Sequence, residues 1–273
     1  MIKLLILGPM GAMGRLISNL ALQDKEINVV AACDVKNIGD DLGFIAGVEN
    51  SNEIIISDVN NLENTIKESN PEVAVDFTTA QATEKNSVIC IKNRIRCVIG
   101  TTALSKNFLE NIENLIKQYE TSAVIAPNMS IGINIIFKIA PILASLLSDW
   151  DIEIIEAHHH RKADSPSGTA LKIGTIIANS LNSDFENTAK YGRHRGTILR
   201  KIGAKNEIGV HAIRAGDIVG DHTILYAGPG ERIELKHQAH SRMCFATGAI
   251  KAIKFIANAS ENKIYTMNDI LQS

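Results

Sequence analysis

The segment from Glu153 to Ala170, EIIEAHHHRKADSPSGTA, sets three histidines, an arginine and a lysine side by side and follows them with a Pro-Ser-Gly-Thr turn. Histidine gives or takes a proton near neutral pH, and a lysine among other cations can have its pKa lowered enough to act as an acid. Ser167, Gly168 and Thr169 offer hydroxyls and the first N–H groups of a helix beginning near Thr169, a combination that holds a carboxylate or phosphate. Three readings compete: a metal centre, a solvated basic run, and an anion pocket with proton donors. Consecutive histidines do not converge on one ion, and no nearby Cys, Asp or Glu has ligand spacing, so no metal is expected. If the strand predicted over Ile152–His158 continues, residues 158, 160 and 162 share one face and 159 and 161 the other.

A second chemical signal lies at the start of the chain. A short apolar run, Ile2–Leu7, leads straight into GPMGAMGR, with glycines at 8, 11 and 14 and a helical pattern after them. A tight turn leaving a strand, close backbone approach and helix N–H groups aimed at an anion are what a dinucleotide pyrophosphate requires. Asp34 closes the second predicted strand, where a carboxylate accepts hydrogen bonds from the adenosine ribose. Val35 follows it, and Lys36 is the only nearby cation for a 2′-phosphate, so the residues favour NADH over NADPH. Further small, polar loops, DFTTAQAT from Asp76, GTTALS from Gly100 and APNMS from Ala126, follow the fourth, fifth and sixth strands on the edge where ligands of open α/β sheets bind.

The elements that must position these residues fall in two textures. Strands predicted at Ile2–Leu7, Asn28–Cys33, Glu53–Ile56, Val73–Phe77, Arg96–Ile99 and Ala123–Ala126 alternate with amphipathic helices, which implies right-handed βαβ units and a parallel sheet. After Ala126 a helix over about 132–148 leads into the strand Ile152–His158 and a helix over Thr169–Leu181. Strands near Glu207–Ile213, Thr223–Tyr226 and Arg232–Lys236 then follow with no helix between them, as in an antiparallel or mixed sheet. The last helix, Ser241–Ala259 with Ser241 as N-cap, is expected to pack back on the first domain. The fold class is therefore α/β, a Rossmann dinucleotide-binding domain (1–126 plus 240–273) with a second α+β domain (127–239) built on a mixed sheet.

Composition narrows the partners. The chain has 273 residues, 45% hydrophobic and 21% charged, and a net charge of −2, with a pI near 6.5. That removes the electrostatic case for nucleic-acid or membrane-surface binding. No segment is long and apolar enough to span a bilayer: Ile131–Leu147 contains Asn134, Lys138 and Pro141. Cys33, Cys90, Cys97 and Cys244 have neither CxxC nor Cys/His spacing, as expected of free thiols in a reducing cytoplasm.

The segment Glu153–Ala170 resembles the signature of the 4-hydroxy-tetrahydrodipicolinate reductase (dihydrodipicolinate reductase) family, met at Glu153, Ile154, Glu156, His158, Lys162, Asp164, Pro166, Ser167, Gly168, Thr169 and Ala170. The likeness extends through GPMGAMGR, VDFT, GTT, APNMSIG, RAGDIVGDHT, AGPGERIEL and SRMCFATGA, nearly the whole chain. It implies NAD(P)H-dependent reduction of 4-hydroxy-tetrahydrodipicolinate, with loss of water, in diaminopimelate and lysine biosynthesis. By position His158 matches the proton donor, Lys162 a second donor, and His159, Ser167, Gly168 and Thr169 the substrate-binding positions. Gly8, Pro9, Met10, Gly11, Ala12, Met13, Asp34, Gly100, Thr101, Thr102, Ala126, Pro127, Asn128 and Met129 match the cofactor contacts. The resemblance also implies that residues 127–239 form the substrate-binding and oligomerisation domain of a cytoplasmic homotetramer acting on a small dicarboxylate. His160 and Arg161 depart from the family's usual arginine-then-histidine order and are assigned no catalytic role. A redox sensor that kept the fold without chemistry would not need His158 and Lys162 beside an anion turn. A semialdehyde dehydrogenase would need a cysteine nucleophile at the cofactor edge, where neither Cys90 nor Cys97 stands.

Overall fold

The computed structural model describes residues 1–48 and 53–272. Two compact units form, Met1–Ile131 with Arg242–Ser273, and Gly132–Ser241.

The first unit begins with β1 (Ile2–Leu7), α1 (Ala12–Gln23), β2 (Ile27–Asp34), α2 (Leu42–Ala46), β3 (Ile56–Asp58), α3 (Leu62–Ser69) and β4 (Val73–Asp76). It continues through α4 (Ala80–Lys92), β5 (Arg96–Ile99), α5 (Lys106–Gln118) and β6 (Ala123–Ile125). The strands make a parallel sheet in the order β3-β2-β1-β4-β5-β6, so the order reverses between β1 and β4 and leaves a crevice at their carboxyl ends. Period-two alternation explains why these strands read as unbroken apolar runs: Leu4, Ile6, Val73, Val75 and Val98 face one core, and Leu5, Leu7, Ala74, Cys97 and Ile99 the other.

The second unit holds most of α6 (Ile131–Leu146), then β7 (Asp151–His158), α7 (Gly168–Ser180), α8 (Phe185–Thr188), β8 (Ala189–Tyr191), β9 (Ile208–Arg214), β10 (Gly220–Gly228) and β11 (Glu231–Ala239). Its sheet, ordered β11-β10-β7-β9-β8, is mixed: β10 runs antiparallel to β7 and β11, whereas β9 runs parallel to β7 and β8. Ile152 and Ile154 of β7 meet Ile136, Ala140 and Ala144 of α6 and Ile173 and Ile177 of α7 in one core.

The chain then returns to the first unit with α9 (Met243–Ala257), β12 (Ile264–Tyr265) and α10 (Met267–Ile270). Here β12 adds a seventh parallel strand beside β6, and Ala246, Ala249 and Ile253 of α9 join the core of Leu4 and Ile6. Arg242, already at helical angles, occupies the N-cap position expected for Ser241, so the helix starts later than predicted. The strand expected at Glu53–Ile56 forms instead at Ile56–Asp58, its register set by pairing Ala32 with Ile56. Among the described residues no helix is long and apolar enough to cross a membrane.

Candidate functional site

In the first unit the glycine loop lies at the carboxyl end of β1. Gly8 takes a φ of +75°, open to glycine at no steric cost, and its N–H donates to the Cys33 carbonyl at 2.9 Å. A Cβ on Gly14 would stand 2.0 Å from the Gly8 carbonyl oxygen, backbone that cannot swing away, so α1 can approach the loop only with glycine there. Gly11 caps α1 with no side-chain hydrogen bond and no acidic residue occupies the first turn, which leaves the positive end of the helix for an anion.

Asp34 is nearly buried and does more than end β2. Its carboxylate accepts the Met10 N–H at 3.0 Å, the Val35 N–H at 2.7 Å and the Lys36 N–H at 3.2 Å, tying the glycine loop to the second strand. Val35 projects outward, 67% exposed.

Asp76, at the end of β4, organises the next two loops, and the sequence reading assigned it no role. It accepts from the Thr78 N–H (2.8 Å) and hydroxyl (2.6 Å), the Thr83 hydroxyl (2.8 Å) and the Asn86 amide (3.3 Å). Burial pushes its carboxyl pKa up, against the pull of those hydrogen bonds. Thr83 lies 2.7 Å from Thr101, whose hydroxyl also donates to the Thr78 carbonyl at 3.2 Å, so Thr101 braces the loops from inside while Thr102 is exposed. Gly100 leaves room for the Phe77 ring, which a Cβ would strike at 2.1 Å. Pro127 is exposed, Asn128 accepts the Ser130 N–H at 3.0 Å, and Ala126 and Met129 are buried. The glycine loop, Asp34, Gly100–Thr102 and Ala126–Met129 thus all stand at the carboxyl edge of one parallel sheet. Uncapped helix N–H groups, a glycine-only approach and a carboxylate at the end of β2 fit a nicotinamide dinucleotide.

In the second unit β7 alternates buried and half-buried residues, and its core face reads Ile152, Ile154, Glu156, His158. Two apolar positions give way to a carboxylate and an imidazole. Glu156 is fully buried, which costs several kcal/mol unless its oxygens are satisfied. Arg214 of β9 grips it with both terminal nitrogens, at 2.9 and 2.8 Å, His158 Nδ1 lies 2.5 Å away, and the Ser167 N–H donates at 3.0 Å. Burial pushes the Glu156 carboxyl upward, but Arg214, His158 and Ser167 outweigh it and hold it below the usual carboxylate range. Across the sheet His222 of β10 pairs in register with Glu156, its ring 5.3 Å from that of His158 and its Nε2 3.2 Å from Ser167 Oγ. Burial, reinforced by nearby His158, pushes the His222 imidazole down to about 4, so it is neutral at pH 7.

The strand does not continue past His158, and the expected common face for residues 158, 160 and 162 does not form. The Lys162 N–H closes a turn onto the His159 carbonyl at 3.1 Å, while His159 and His160 hydrogen-bond the backbone of Ile218 and Gly216. That turn splits the basic run. His160 Nδ1 lies 3.0 Å from the Gly216 carbonyl and Arg161 pairs with Asp217 at 2.7 Å, both on the exposed side. Lys162 faces Asp164 at 2.8 Å, an acid rather than the cationic surroundings expected. Lys162, with the Gly168 N–H, holds the Asp164 carboxyl low, so a carboxylate already rests at the positive end of α7 beside the lysine. Ser167 is the buried N-cap of α7, its hydroxyl accepting the Ala170 N–H at 3.2 Å. Its polar atoms serve the scaffold, while Gly168 is exposed and Thr169 half-buried.

Sequence reasoning missed Glu156, Arg214 and His222 as parts of this cluster. The available signal was a glutamate two residues before His158 on the strand's apolar face. The thiols offer no nucleophile: Cys33, Cys90 and Cys97 are core residues, burial pushes Cys33 up to about 11 and raises Cys244, and a hydrogen bond with Cys97 together with burial raises Cys90. Among the described residues no group of three or more metal-ligating side chains converges.

Two family patterns match the chain, "Dihydrodipicolinate reductase, N-terminus" over residues 2–129 and "Dihydrodipicolinate reductase, C-terminus" over 132–271. A 4-hydroxy-tetrahydrodipicolinate reductase of Methanococcoides burtonii is 46% identical over 274 aligned positions, covering 100% of both chains. One of Methanocaldococcus jannaschii is 44% identical, covering 99% of this chain and 97% of its own. Among solved structures, a dipicolinate-bound dihydrodipicolinate reductase from Paenisporosarcina sp. TG-14 superposes with a TM-score of 0.78 at 29% identity, covering 97% of each chain.

Proposed function

The chain belongs to the dihydrodipicolinate reductase family, and from that premise we propose how its residues reduce 4-hydroxy-tetrahydrodipicolinate with a nicotinamide nucleotide in the diaminopimelate and lysine pathway. The observation that carries this reading is the buried Glu156–His158 pair close in sequence to a turn where Lys162 and the Gly168 N–H already hold a carboxylate.

The dinucleotide, when bound, supplies hydride to the substrate ring. The chain's own residues do the rest. Gly8–Met13 and the start of α1 take the pyrophosphate, Asp34 the ribose hydroxyls, and Gly100–Thr102 with Ala126–Met129 the remaining length of the cofactor. Gly168 and Thr169 hold one substrate carboxylate, with His159 beside them. Imidazolium His158 delivers a proton to the carbon next to the one that receives hydride, and Lys162 is a second donor. Active units assemble as a homotetramer in the cytoplasm, a setting that keeps the buried thiols reduced.

NADH is preferred to NADPH, because Val35 offers no cation to a 2′-phosphate. Asp34→Ala costs ~1–3 kcal/mol in NADH binding, the range for a charged hydrogen-bond partner lost in a site. Fluorescence titration checks both statements, and NADPH bound tenfold more tightly than NADH by the unmutated protein sinks the assignment.

The reaction is tested by supplying freshly made 4-hydroxy-tetrahydrodipicolinate and following oxidation of NADH and NADPH. Dipicolinate, a planar dicarboxylate, is expected to inhibit competitively against substrate, with its affinity weakened by Thr169→Val. Equal inhibition by simple monocarboxylates would contradict recognition at two carboxylates.

A further inference from the structure

We propose that Glu156 and Arg214 are positioning residues that hold His158 as its Nδ1–H tautomer, which leaves Nε2, on the Gly220 side of the ring, to exchange the proton. The inference rests on the reading of His158 as the proton donor.

The geometry is over-determined. Glu156 Oε2 stands 2.5 Å from His158 Nδ1, and the same oxygen takes one arm of the Arg214 guanidinium at 2.9 Å. The other carboxylate oxygen takes the second arm at 2.8 Å and the Ser167 N–H at 3.0 Å. All four neighbours present hydrogens to an ionised carboxylate, which only accepts, so Nδ1 must carry the hydrogen. Nε2 is then the free lone pair of the neutral ring and the site of the transferable proton in the imidazolium. A Cβ built on Gly220, the first residue of β10, would lie 3.1 Å from Nε2, so any side chain there would crowd that nitrogen.

Arg214 also reaches past Glu156 to donate to the Asp164 carbonyl at 2.6 Å, and the Asp164 carboxylate holds Lys162 Nζ at 2.8 Å. One guanidinium on β9 therefore anchors both groups with a proposed proton-transfer role, His158 through Glu156 and Lys162 through the loop that carries Asp164. A lysine at 214 could not reproduce this, because its ammonium has no planar fork to span both carboxylate oxygens. His222, a further titratable group beside this pair, hydrogen-bonds Ser167 Oγ through Nε2 at 3.2 Å.

The test is side-chain nitrogen NMR on the full-length protein, with the His158 signals identified by their loss in His158→Gln. The unmutated protein is expected to show His158 in the Nδ1–H form near neutral pH, and an Nε2–H form there overturns the proposal without any variant. Glu156→Gln presents an amide NH2 to donors and should abolish the preference for Nδ1–H. It should also lower kcat about tenfold to hundredfold, the worth of one charge-assisted hydrogen bond, while KM and NADH affinity stay within about twofold. Glu156→Asp, which keeps the charge, should recover part of both. A Glu156→Gln protein that retains the Nδ1–H form and normal kcat overturns the positioning role. Normal turnover in His158→Gln would instead remove the catalytic reading of His158, and the tautomer measurement would still decide what Glu156 does.

Discussion

Replacing His158 by Gln or Lys162 by Met should each lower the turnover number ~10²–10⁴-fold, the usual worth of one general acid in a transition state. Gln keeps a polar side chain without a titrating ring, and Met keeps most of the lysine stem without its charge or protons. NADH affinity should stay close to that of the unmutated protein, because the glycine loop, Asp34 and the Asp76 network belong to the first compact unit and both substitutions lie in the second. The double variant should lose less than the product of the single losses, since both groups serve one transition state. The ion pair between Lys162 and Asp164 sharpens the discrimination between acid and binding group. If Lys162→Met regains normal turnover merely at higher substrate concentration, the lysine only holds a carboxylate, and proton delivery falls to His158 alone.

The second unit should lose about 3 kcal/mol of stability between pH 6.5 and pH 4. His222 titrates at 6.5 in its ordinary state and is pushed down to about 4 by burial in the fold, a difference of about 2.5 units at ~1.36 kcal/mol each. A depressed histidine contributes stability that is complete above its unfolded pKa and disappears as pH falls through its folded one, so the loss lies on the acid side of neutrality. Glu156 adds to it below about pH 4.5, because its own depressed carboxyl must be protonated before the Arg214 grip is released. Trp150, the single tryptophan, packs at the edge of this unit's core and reports its unfolding. Urea midpoints followed by Trp150 fluorescence should fall steeply from pH 7 to pH 4 in the unmutated protein and only shallowly in His222→Gln. Equal pH dependence in the two proteins would show that His222 is not the group responsible.

The parallel sheet was legible because its strands are buried on both faces. Such strands appear as continuous apolar runs, and the helices between them carry their own period. Short elements escaped for the opposite reason: β8 and β12 have three and two residues and no pattern of their own, existing only because β9 and β6 offer edges to pair with. The run His158–Lys162 shows the limit within the site. Residue types suggested proton chemistry, but an extended reading of their spacing failed, since hydrogen bonds from the His159 and His160 N–H groups to the Ile218 and Gly216 carbonyls fold the chain into a turn after His158.

Residue types and order along the chain were enough to determine a dinucleotide fold with a second, mixed-sheet unit, the glycine loop with its partner Asp34, and the run of ionisable residues leading into the Pro-Ser-Gly-Thr turn. Those features are local: each is written in neighbouring residues or in a fixed period. Only the tertiary structure decided that Glu156 is a buried anion gripped by Arg214, that Asp76 gathers Thr78 and Thr83 with Thr101 beyond, and that His222 is kept neutral. Each of these joins residues brought together by strand pairing or loop closure. A charge becomes a strong hydrogen-bond acceptor or an imidazole loses its proton only when water has been excluded around it, a condition the assembled fold creates.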